Sequence, residues 1–478
     1  MKYSGSLARR TKIVCTIGPA SGSTTVIEQL IKAGMNVARL NLSHSTHKEH
    51  GRHIQEIRKI SERLGINVAV LIDLPGSKYR VEKLKDGQAT LKKGSQVILT
   101  TRQVEGDVAL VPVNIPDLPK DVQVGDTVLL DDGAIQLKVL ARVGTEVECR
   151  VTVGGVLTNG RGLVVPGMHT SGPFVTDALK QHILFAIQQQ PDYLALSFVG
   201  SAEDVAQVRA VLKGNGADIP IIAKIERGVA VNNLDSILAA SDGIMVARGD
   251  LGADIPLEKL PLVQKEIIRK CNQAGKPVIT ATQMLESMVN SFRPTRAEVT
   301  DVANAIFDGT DATMLSAETS VGKYPVQAVK IMAKIAREAE SGLPYDQMLA
   351  AKGRWLEQKV EELIAYNACV TAQSLGATAI VAFTKSGSTA DRVSKFRPRV
   401  PILAISPHNV VCRRLMLRWG VYPVQIAESQ YVDELFATAV SLTKELSLVK
   451  SDDVIVITGG IPIGVAGSTN LLKVERIP

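Results

Sequence analysis

The stretch Ile-Ile-Ala-Lys-Ile-Glu (221–226) decides the fold, because it is a short apolar run that ends in a lysine and a carboxylate. The next run, Gly-Ile-Met-Val-Ala-Arg-Gly-Asp (243–250), ends in a second carboxylate, and a third run closes with Thr282. Short runs rich in β-branched residues, separated by longer helical patterns, are typical of parallel βα units. Polar side chains at the ends of successive parallel strands are therefore expected to meet at one edge of the sheet.

Eight such runs can be counted, which makes a closed (β/α)8 TIM barrel more economical than an open sheet. In barrels of this kind the active site lies at the C-terminal ends of the strands, where the polar residues fall. The predicted strands are Lys12–Gly18, Asn36–Leu42, Val68–Leu74, Tyr193–Phe198, Ile221–Glu226, Gly243–Asp250, Pro277–Met284 and Ala312–Glu318.

The sequence also predicts two further domains. Residues 74–171 are rich in Val, Gly, Asp and Lys with closely spaced turn signals, which indicates an inserted all-β domain, a small β-barrel that forms a lid over the active site. Residues 344–478 indicate a C-terminal α/β domain, which leaves 1–73 and 172–343 for the catalytic barrel. The elements predicted in the C-terminal domain are a helix over Glu357–Leu375 and strands at Thr378–Thr384, Pro401–Ser406, Val421–Ile426 and Asp453–Gly459.

Composition excludes several classes of protein. The net charge of +7, from 55 basic and 48 acidic residues in 478, is spread along the chain, so we expect no nucleic-acid partner. No apolar stretch approaches the roughly 18 residues of a membrane span, and the first residues lack the apolar core of a signal peptide. The five cysteines form no Cys-x-x-Cys pair, which favours reduced thiols and a cytoplasmic location.

The acidic strand ends predict a divalent metal site. Glu226 and Asp250 offer the oxygen ligands that Mg²⁺ or Mn²⁺ prefers, and such a metal would keep coordination positions for substrate oxygens. Lys224 lies two residues before Glu226 and so faces the same side of its strand, where an ammonium can stabilise a transferring phosphoryl group or an enolate. A helix-capping role for the acids, or a simple buried ion pair between Lys224 and Glu226, stays open at this point.

Other polar residues add to this edge. Arg39 can grip a phosphate, and the oxygens of Asn41, Ser43 and Asp73 can form a cation cage. Hydroxyls at the ends of the last two strands, Thr282 and Ser316, can position a water or relay a proton, although a strand threonine is also ordinary.

A separate loop in the last domain carries hydroxyls and a glycine before a helix. Its backbone N–H groups suit a phosphate, which predicts a second, regulatory site, with a plain capped turn as the alternative. The loop comprises Thr384, Lys385, Ser386, Gly387, Ser388 and Thr389.

Taken in order, the motifs resemble the pyruvate kinase family. The matching stretches are KIVCTIGPAS (12–21), NVARLNLSH (36–44), IIAKIE (221–226), MVARGDLG (245–252), ITATQMLESM (279–288), PTRAEV (294–299) and DVANA (301–305). The resemblance implies phosphoryl transfer from phosphoenolpyruvate to ADP, giving pyruvate and ATP. It also implies a homotetramer and an allosteric activator. Fructose 1,6-bisphosphate, glucose 6-phosphate, ribose 5-phosphate and AMP would all suit the 384–389 loop.

The resemblance also assigns roles to residues. Glu226 and Asp250 would hold the metal, and Lys224 would stabilise the phosphoryl group and the enolate. Arg39 would contact the phosphate, and Thr282, through water and Ser316, would help to protonate the enolate. The substrate carboxylate would rest near the backbone of Gly249 and Asp250 at a helix start. The nucleotide side would be formed by Pro19, Asn41, His44, Arg80 and Arg161.

One departure from the family pattern bears on monovalent cations. Lys78 stands where potassium-dependent members have Glu, and Leu74 stands where many have Thr. An ammonium near the cage of Asn41, Ser43 and Asp73 can replace the monovalent charge, so the sequence predicts activity without K⁺. Gly200, Val164 and Arg161 also depart from common family residues near the lid.

Two alternatives remain at the level of sequence. One is a Mg²⁺-dependent barrel lyase or mutase that acts on pyruvate enolates, which would show no dependence on ADP. The other is a non-catalytic sensor of phosphorylated metabolites, which would bind an effector through residues 384–389 without turnover.

Overall fold

The computed structural model describes residues 9–76, 79–131, 133–168, 172–429, 431–463 and 467–478. Eight parallel strands in these ranges close into a barrel in chain order, as the sequence predicts. Almost every strand residue is buried, since parallel strands in a barrel are covered on both faces. Most strands end one to three residues before the predicted limit. The barrel strands are Lys12–Thr16, Val37–Asn41, Ala69–Leu74, Tyr193–Leu196, Ile221–Ile225, Gly243–Ala247, Val278–Ala281 and Ala312–Leu315.

Helices cover the outside of the barrel, and local signals set their limits. Thr46 and Glu49 form a capping box at the start of the helix His47–Leu64, and Thr295 and Glu298 do the same for Arg296–Phe307. Within the described ranges, no helix combines the length and apolar character that a membrane crossing requires. The barrel helices are Thr24–Ala33, His47–Leu64, Asp177–Gln189, Ala202–Gly214, Gly228–Asn232, Leu234–Ala240, Arg248–Asp254, Leu260–Ala274, Arg296–Phe307, Ala317–Ser320 and Pro325–Ser341.

The segment between the third and fourth barrel strands is mainly β structure with its own apolar core. Its described strands form a six-stranded sheet and a two-stranded sheet, where the sequence suggested one small barrel. Leu74 is the last residue of the third barrel strand. In chain order its elements are the strands Gln88–Leu91, Gln96–Thr100 and Leu110–Pro112, the short helix Leu118–Asp121, and the strands Thr127–Leu130, Ile135–Val143, Glu146–Val153, Gly155–Thr158 and Leu163–Val164.

The C-terminal region folds around a five-stranded sheet. Four strands are parallel, and a fifth, Thr469–Arg476, which the sequence analysis missed, pairs antiparallel with Val454–Gly460. The remaining strands are Ala379–Phe383, Ile402–Ser406 and Val421–Gln425, and the helices are Tyr345–Lys352, Val360–Ser374, Ser388–Lys395, Asn409–Arg414 and Val432–Glu445.

This C-terminal region docks on the base of the barrel, away from the predicted site. Met416 and Leu417 pack into the core cluster formed by the barrel strands. Asp192, which is fully buried, joins Arg58 of the barrel at 2.8 Å and Arg413 of the C-terminal region at 2.9 Å. The C-terminal ends of the barrel strands are therefore left for the cleft beneath the insert.

Candidate active site

Lys224 is the centre of a buried polar network at the C-terminal end of the barrel. Its ammonium lies 2.9 Å from Glu226 Oε1 and 3.2 Å from Asp73 Oδ1, and it donates to Ser197 Oγ at 2.7 Å. The other carboxylate oxygen of Asp73 accepts from Arg39 Nε at 2.7 Å. Strands two, three and five, together with the residues that directly follow strands four and five, thus bring two cations and two carboxylates together with almost no exposure to solvent.

The charges in this network shift one another's pKa values. Burial lowers the pKa of the Lys224 ammonium, but Asp73 and Glu226 outweigh burial and hold that pKa above its ordinary value. Burial likewise opposes ionisation of Asp73, but Lys224 and Arg39 hold its pKa below the usual range. For Glu226, burial dominates and raises the pKa, and the nearby charge of Asp250 adds to the effect.

The sequence predicted that Asp250 ends a strand, but the structure places it in a helix. The sixth strand ends at Ala247, and Asp250 is in the first turn of the helix Arg248–Asp254. The preceding N–H, of Gly249, donates to Thr282 Oγ1 at 2.8 Å. The predicted substrate residues Gly249, Asp250 and Thr282 are therefore brought together.

Thr282 lies just beyond the seventh strand with a left-handed backbone, φ 68°, and Gln283 continues that conformation at 54°. Such φ values are uncommon for a β-branched residue and mark a position that its surroundings hold in place. Arg248 supplies part of that support, because it donates to the Thr282 carbonyl at 2.8 Å and pairs with Asp301 at 2.7 Å. Sequence reasoning gave Arg248 no role.

Ser316 follows the eighth strand, and its hydroxyl oxygen is buried with no hydrogen-bond partner among the described residues. Its backbone N–H donates to Glu318 at 2.7 Å, and the same carboxylate accepts from Leu285 N at 3.0 Å. Burial raises the pKa of Glu318. An unpartnered buried hydroxyl costs free energy, and such a group is available to a substrate or a water.

A cleft of about 660 Å³ lies between the barrel and the insert. Glu226 and Asp250 both line it from the barrel side, while Ile115, Asp117 and Val164 line it from the insert. Volumes of roughly 300–1,000 Å³ are usual for small-molecule sites. The two candidate metal ligands thus open onto a space large enough for a metabolite.

The acid pair fits a divalent cation of the kind that keeps most of its coordination for water and substrate. Burial raises the pKa of Glu226 and the charge of Asp250 adds to that rise, and a bound cation would favour the ionised form of both carboxylates. In the described part of the chain, no group of three or more His, Cys, Asp or Glu side chains is placed to hold a metal. A site with two carboxylates suits Mg²⁺ better than a closed structural metal centre.

The predicted nucleotide residues are spread around the mouth of the barrel and the insert. Pro19 and His44 are exposed, and Asn41 is half-buried with its side-chain oxygen accepting from Ser43 N at 3.1 Å. In the insert, Arg80 donates to the Gly160 carbonyl and Arg161 pairs with Asp131. The residues that line the described cleft do not include these five, so their grouping as one site stays a prediction.

The potassium prediction concerns Lys78, Leu74 and the proposed cage of Asn41, Ser43 and Asp73. Lys78 lies outside the described ranges. Leu74 is fully buried at the end of its strand, and Asp73 beside it already binds Arg39 and Lys224.

The loop at 384–389 surrounds a small, separate pocket of about 80 Å³ in the C-terminal region. Gly387 has φ 98° and donates its N–H to Thr384 Oγ1, while Thr389 shares a hydrogen bond with Thr469 at 2.8 Å. The pocket is lined by Thr384, Lys385, Ser388 and Thr389 among others, and Ser386 bonds Ser388 next to it.

Two further residues at the catalytic end were missed from sequence. Ser197 bridges Lys224 and Asp73, and the Phe198 N–H donates to Glu226 Oε2 at 2.6 Å with a left-handed φ of 57°. The only signal was their position directly after the fourth strand, since neither residue type suggests phosphoryl chemistry.

Comparison with known proteins points to the same family along nearly the whole chain. Residues 8–329 match the family model for the pyruvate kinase barrel domain, and residues 362–475 match that for the pyruvate kinase alpha/beta domain. The pyruvate kinase of Geobacillus stearothermophilus is 48% identical over 474 residues, which are 98% of this chain and 81% of that protein. The pyruvate kinase of Staphylococcus haemolyticus is 46% identical over 98% of this chain and 80% of its own.

A solved structure extends the likeness to the fold. The crystal structure of a pyruvate kinase from Cryptosporidium parvum superposes with a TM-score of 0.94 at 38% identity, covering 98% of this chain and 97% of that one. Fold, site and comparisons together define a phosphotransferase built on a (β/α)8 barrel. The chain belongs to the pyruvate kinase family of glycolytic kinases, which confirms the resemblance drawn from its motifs.

Proposed function

We propose that this kinase transfers the phosphoryl group of phosphoenolpyruvate to ADP at the cleft lined by Glu226 and Asp250. The observation that carries the proposal is the convergence of Lys224, Arg39, Asp73 and Glu226 in one buried network beside that cleft. A fixed ammonium and guanidinium with low exposure stabilise developing negative charge more strongly than the same groups in water.

Each residue then has a task. Lys224 places a positive charge near the bridging and phosphoryl oxygens of the substrate, which become more negative during transfer. Asp73 and Ser197 bind the Lys224 ammonium and fix its position. Arg39, fixed by Asp73 and by Thr16 at 2.9 Å, offers its remaining donors to the phosphate. The substrate carboxylate rests near the backbone of Gly249 and Asp250, at the start of the helix Arg248–Asp254.

Glu226 and Asp250 are the residues that would hold Mg²⁺ or Mn²⁺. When bound, the cation would neutralise charge on substrate oxygens. The Phe198 N–H and Lys224 hold Glu226 from two sides, which leaves the carboxylate in one orientation toward the cleft.

Thr282 and Ser316 are proposed to carry the proton that converts enolate to pyruvate. Thr282 Oγ1 donates to the Ala281 carbonyl and accepts from Gly249, so its hydroxyl is held in place. Ser316 Oγ, without a partner among the described side chains and backbone groups, is the group free to bind an intervening water.

The first test is the reaction itself, with and without potassium. Pyruvate formation from phosphoenolpyruvate, ADP and Mg²⁺ is expected at full rate in tetramethylammonium buffer, and added KCl is expected to change it little. The double variant Leu74→Thr/Lys78→Glu is expected to acquire a K⁺ requirement. It removes the ammonium and adds a carboxylate beside the proposed cage.

The controls separate two conclusions. If the native chain is active only with KCl, the kinase assignment stands and the prediction of K⁺-independent activity is wrong. A double variant that is indifferent to K⁺ would also count against it. Turnover of phosphoenolpyruvate that does not depend on ADP would instead favour a lyase or mutase.

We further propose that a phosphorylated activator, a sugar phosphate or a nucleoside monophosphate, binds at residues 384–389. Support comes from the N–H groups and hydroxyls around the small pocket, including Thr384, Ser388 and Thr389.

By family analogy the active form is a homotetramer, and we propose a cytoplasmic location. The limits proposed for the insert are residues 74–171, and those proposed for the regulatory domain are residues 344–478.

Ser386→Asp tests the activator site. Its side chain lies next to Ser388, so a carboxylate there repels a phosphate. We expect activation by each of the four candidate phosphates to be lost, while the rate at saturating substrate changes little. Initial rates at low phosphoenolpyruvate, with and without activator, measure this.

Ser451→Asp is the matched control, since Ser451 is exposed in a turn at the opposite end of the same sheet. Activation should survive in that variant. Activation that also survives in Ser386→Asp would place the effector site elsewhere.

A further inference from the structure

The inserted domain is joined to the barrel by two chain connections, and both contact groups beside Glu226. The second connection includes Met168, whose carbonyl accepts a hydrogen bond from the guanidinium of Arg227. Arg227 directly follows Glu226 in the chain. One backbone point of the insert is therefore tied to the residue next to the proposed metal ligand, across 59 positions of sequence.

The first connection packs against Ser197 and Phe198, which follow the fourth barrel strand. A Cβ atom at Gly76 would lie 2.5 Å from Phe198 Cδ2 and 2.9 Å from the Ser197 carbonyl oxygen, so only glycine allows this close approach. The N–H of the same Phe198 holds Glu226 Oε2 at 2.6 Å. The first connection thus reaches the Glu226 carboxylate through Phe198, and the second is bonded to Arg227, the residue that follows Glu226 in the chain.

The surroundings of Arg227 suit a fixed support. It is half-buried and lines the cleft together with Met168 and Asp254. The Asp254 carboxylate accepts a hydrogen bond from the Gly228 N–H and is attracted to the charge of Arg227. These two contacts of Asp254 anchor the turn that follows Glu226. An arginine on a fixed turn can hold a neighbouring carbonyl in direction as well as in distance.

We propose that Arg227 is a positioning residue, which fixes the inserted domain relative to the Glu226 carboxylate and so sets the width of the cleft for the reaction. The catalytic part of this proposal rests on the proposed role of Glu226. The part that concerns the placement of the insert does not. Displacement of reacting groups by about 1 Å can lower rates by up to about 100-fold.

The placement can be measured by fluorescence energy transfer between the insert and the barrel. All five native cysteines are buried, so maleimide dyes will favour cysteines introduced at exposed positions. Suitable positions are Val143→Cys in the insert and Leu262→Cys on the barrel, which are 61% and 70% exposed. In the holoenzyme with Mg²⁺ we expect a narrow distance distribution, which shifts or broadens in Arg227→Met and is partly restored in Arg227→Lys.

Kinetics of the unlabelled variants give the second readout. We expect kcat to fall about tenfold or more in Arg227→Met, with a smaller change in KM, because the residue orders the reacting groups without binding substrate. Arg209→Met is the control. Arg209 also donates to a backbone carbonyl, of Ala240 at 2.9 Å, but at the opposite end of the barrel. Neither the distances nor kcat should change in that variant.

An unchanged distance distribution in Arg227→Met would overturn the proposal, and so would a shifted distribution with unchanged kcat. If Arg227→Met does not fold, Arg227→Lys is measured by the same two readouts, and smaller changes in the same directions are expected. Glu226→Gln with native Arg227 separates the two proposals. If metal dependence survives there, the role of Glu226 is wrong, whereas the distances in the Arg227 variants still decide whether that residue positions the insert.

Discussion

Replacement of Lys224 by methionine is expected to lower kcat by about 100- to 1,000-fold or more, because it removes a positive charge needed mainly in the transition state. The ammonium has three partners, Glu226, Asp73 and Ser197, so its position is fixed before substrate arrives. The KM for phosphoenolpyruvate should change much less than kcat. Steady-state kinetics with saturating ADP and Mg²⁺ measure both constants.

The same change also affects folding, and a control must separate the two effects. Removing one partner of a buried ion pair costs about 3–5 kcal/mol of stability, although Arg39 still neutralises Asp73 here. Lys276→Met is a matched variant, since the Lys276 ammonium also makes three bonds, to carbonyls of Leu238, Ala239 and Ser241, at the base of the barrel. It should lose stability and keep kcat. A folded Lys224→Met enzyme within about tenfold of the native rate would refute the assigned role.

Much of this site could be predicted from sequence because strands have a simple geometry. Lys224 and Glu226 are two residues apart, so alternation places both side chains on one side, and the structure finds them 2.9 Å apart. Eight apolar runs with helices between them predicted the barrel, since burial on both faces leaves a pattern that is independent of distant contacts. The motifs then identified the family.

The sequence was less informative where the backbone conformation or contacts between distant residues determine the position of a side chain. Asp250 was expected on a strand but lies in a helical turn. Thr282 has a left-handed φ, which its residue type does not predict because β-branched residues rarely adopt that conformation. Ser197 joins the network only because the fourth strand lies beside the third and the fifth. The contact between Arg227 and Met168 depends on how the insert folds back, which no local pattern encodes.

Glu226→Gln is expected to have the second large effect, a loss of metal affinity of at least about 10- to 100-fold with a matching loss of activity at fixed Mg²⁺. The amide keeps the shape of the side chain and can still accept the Phe198 N–H, so the fold should survive. It removes one of the two negative charges that would bind the cation. Binding of Mn²⁺, followed by electron paramagnetic resonance of the free ion, reports affinity without requiring turnover.

Asp254→Asn decides whether the effect belongs to Glu226 or to any acid of the cleft. Asp254 lines the same space, and burial raises its pKa as it does for Glu226, but its carboxylate is occupied by the Gly228 N–H. Because that bond points the Asp254 carboxylate at the backbone, we expect Mn²⁺ affinity in Asp254→Asn to stay close to the native value. Equal losses in the two variants would mean that the cation is held by the overall negative charge of the cleft. Losses in both Glu226→Gln and Asp250→Asn, with none in Asp254→Asn, would place the metal between Glu226 and Asp250, where the charge of Asp250 adds to the burial that raises the pKa of Glu226.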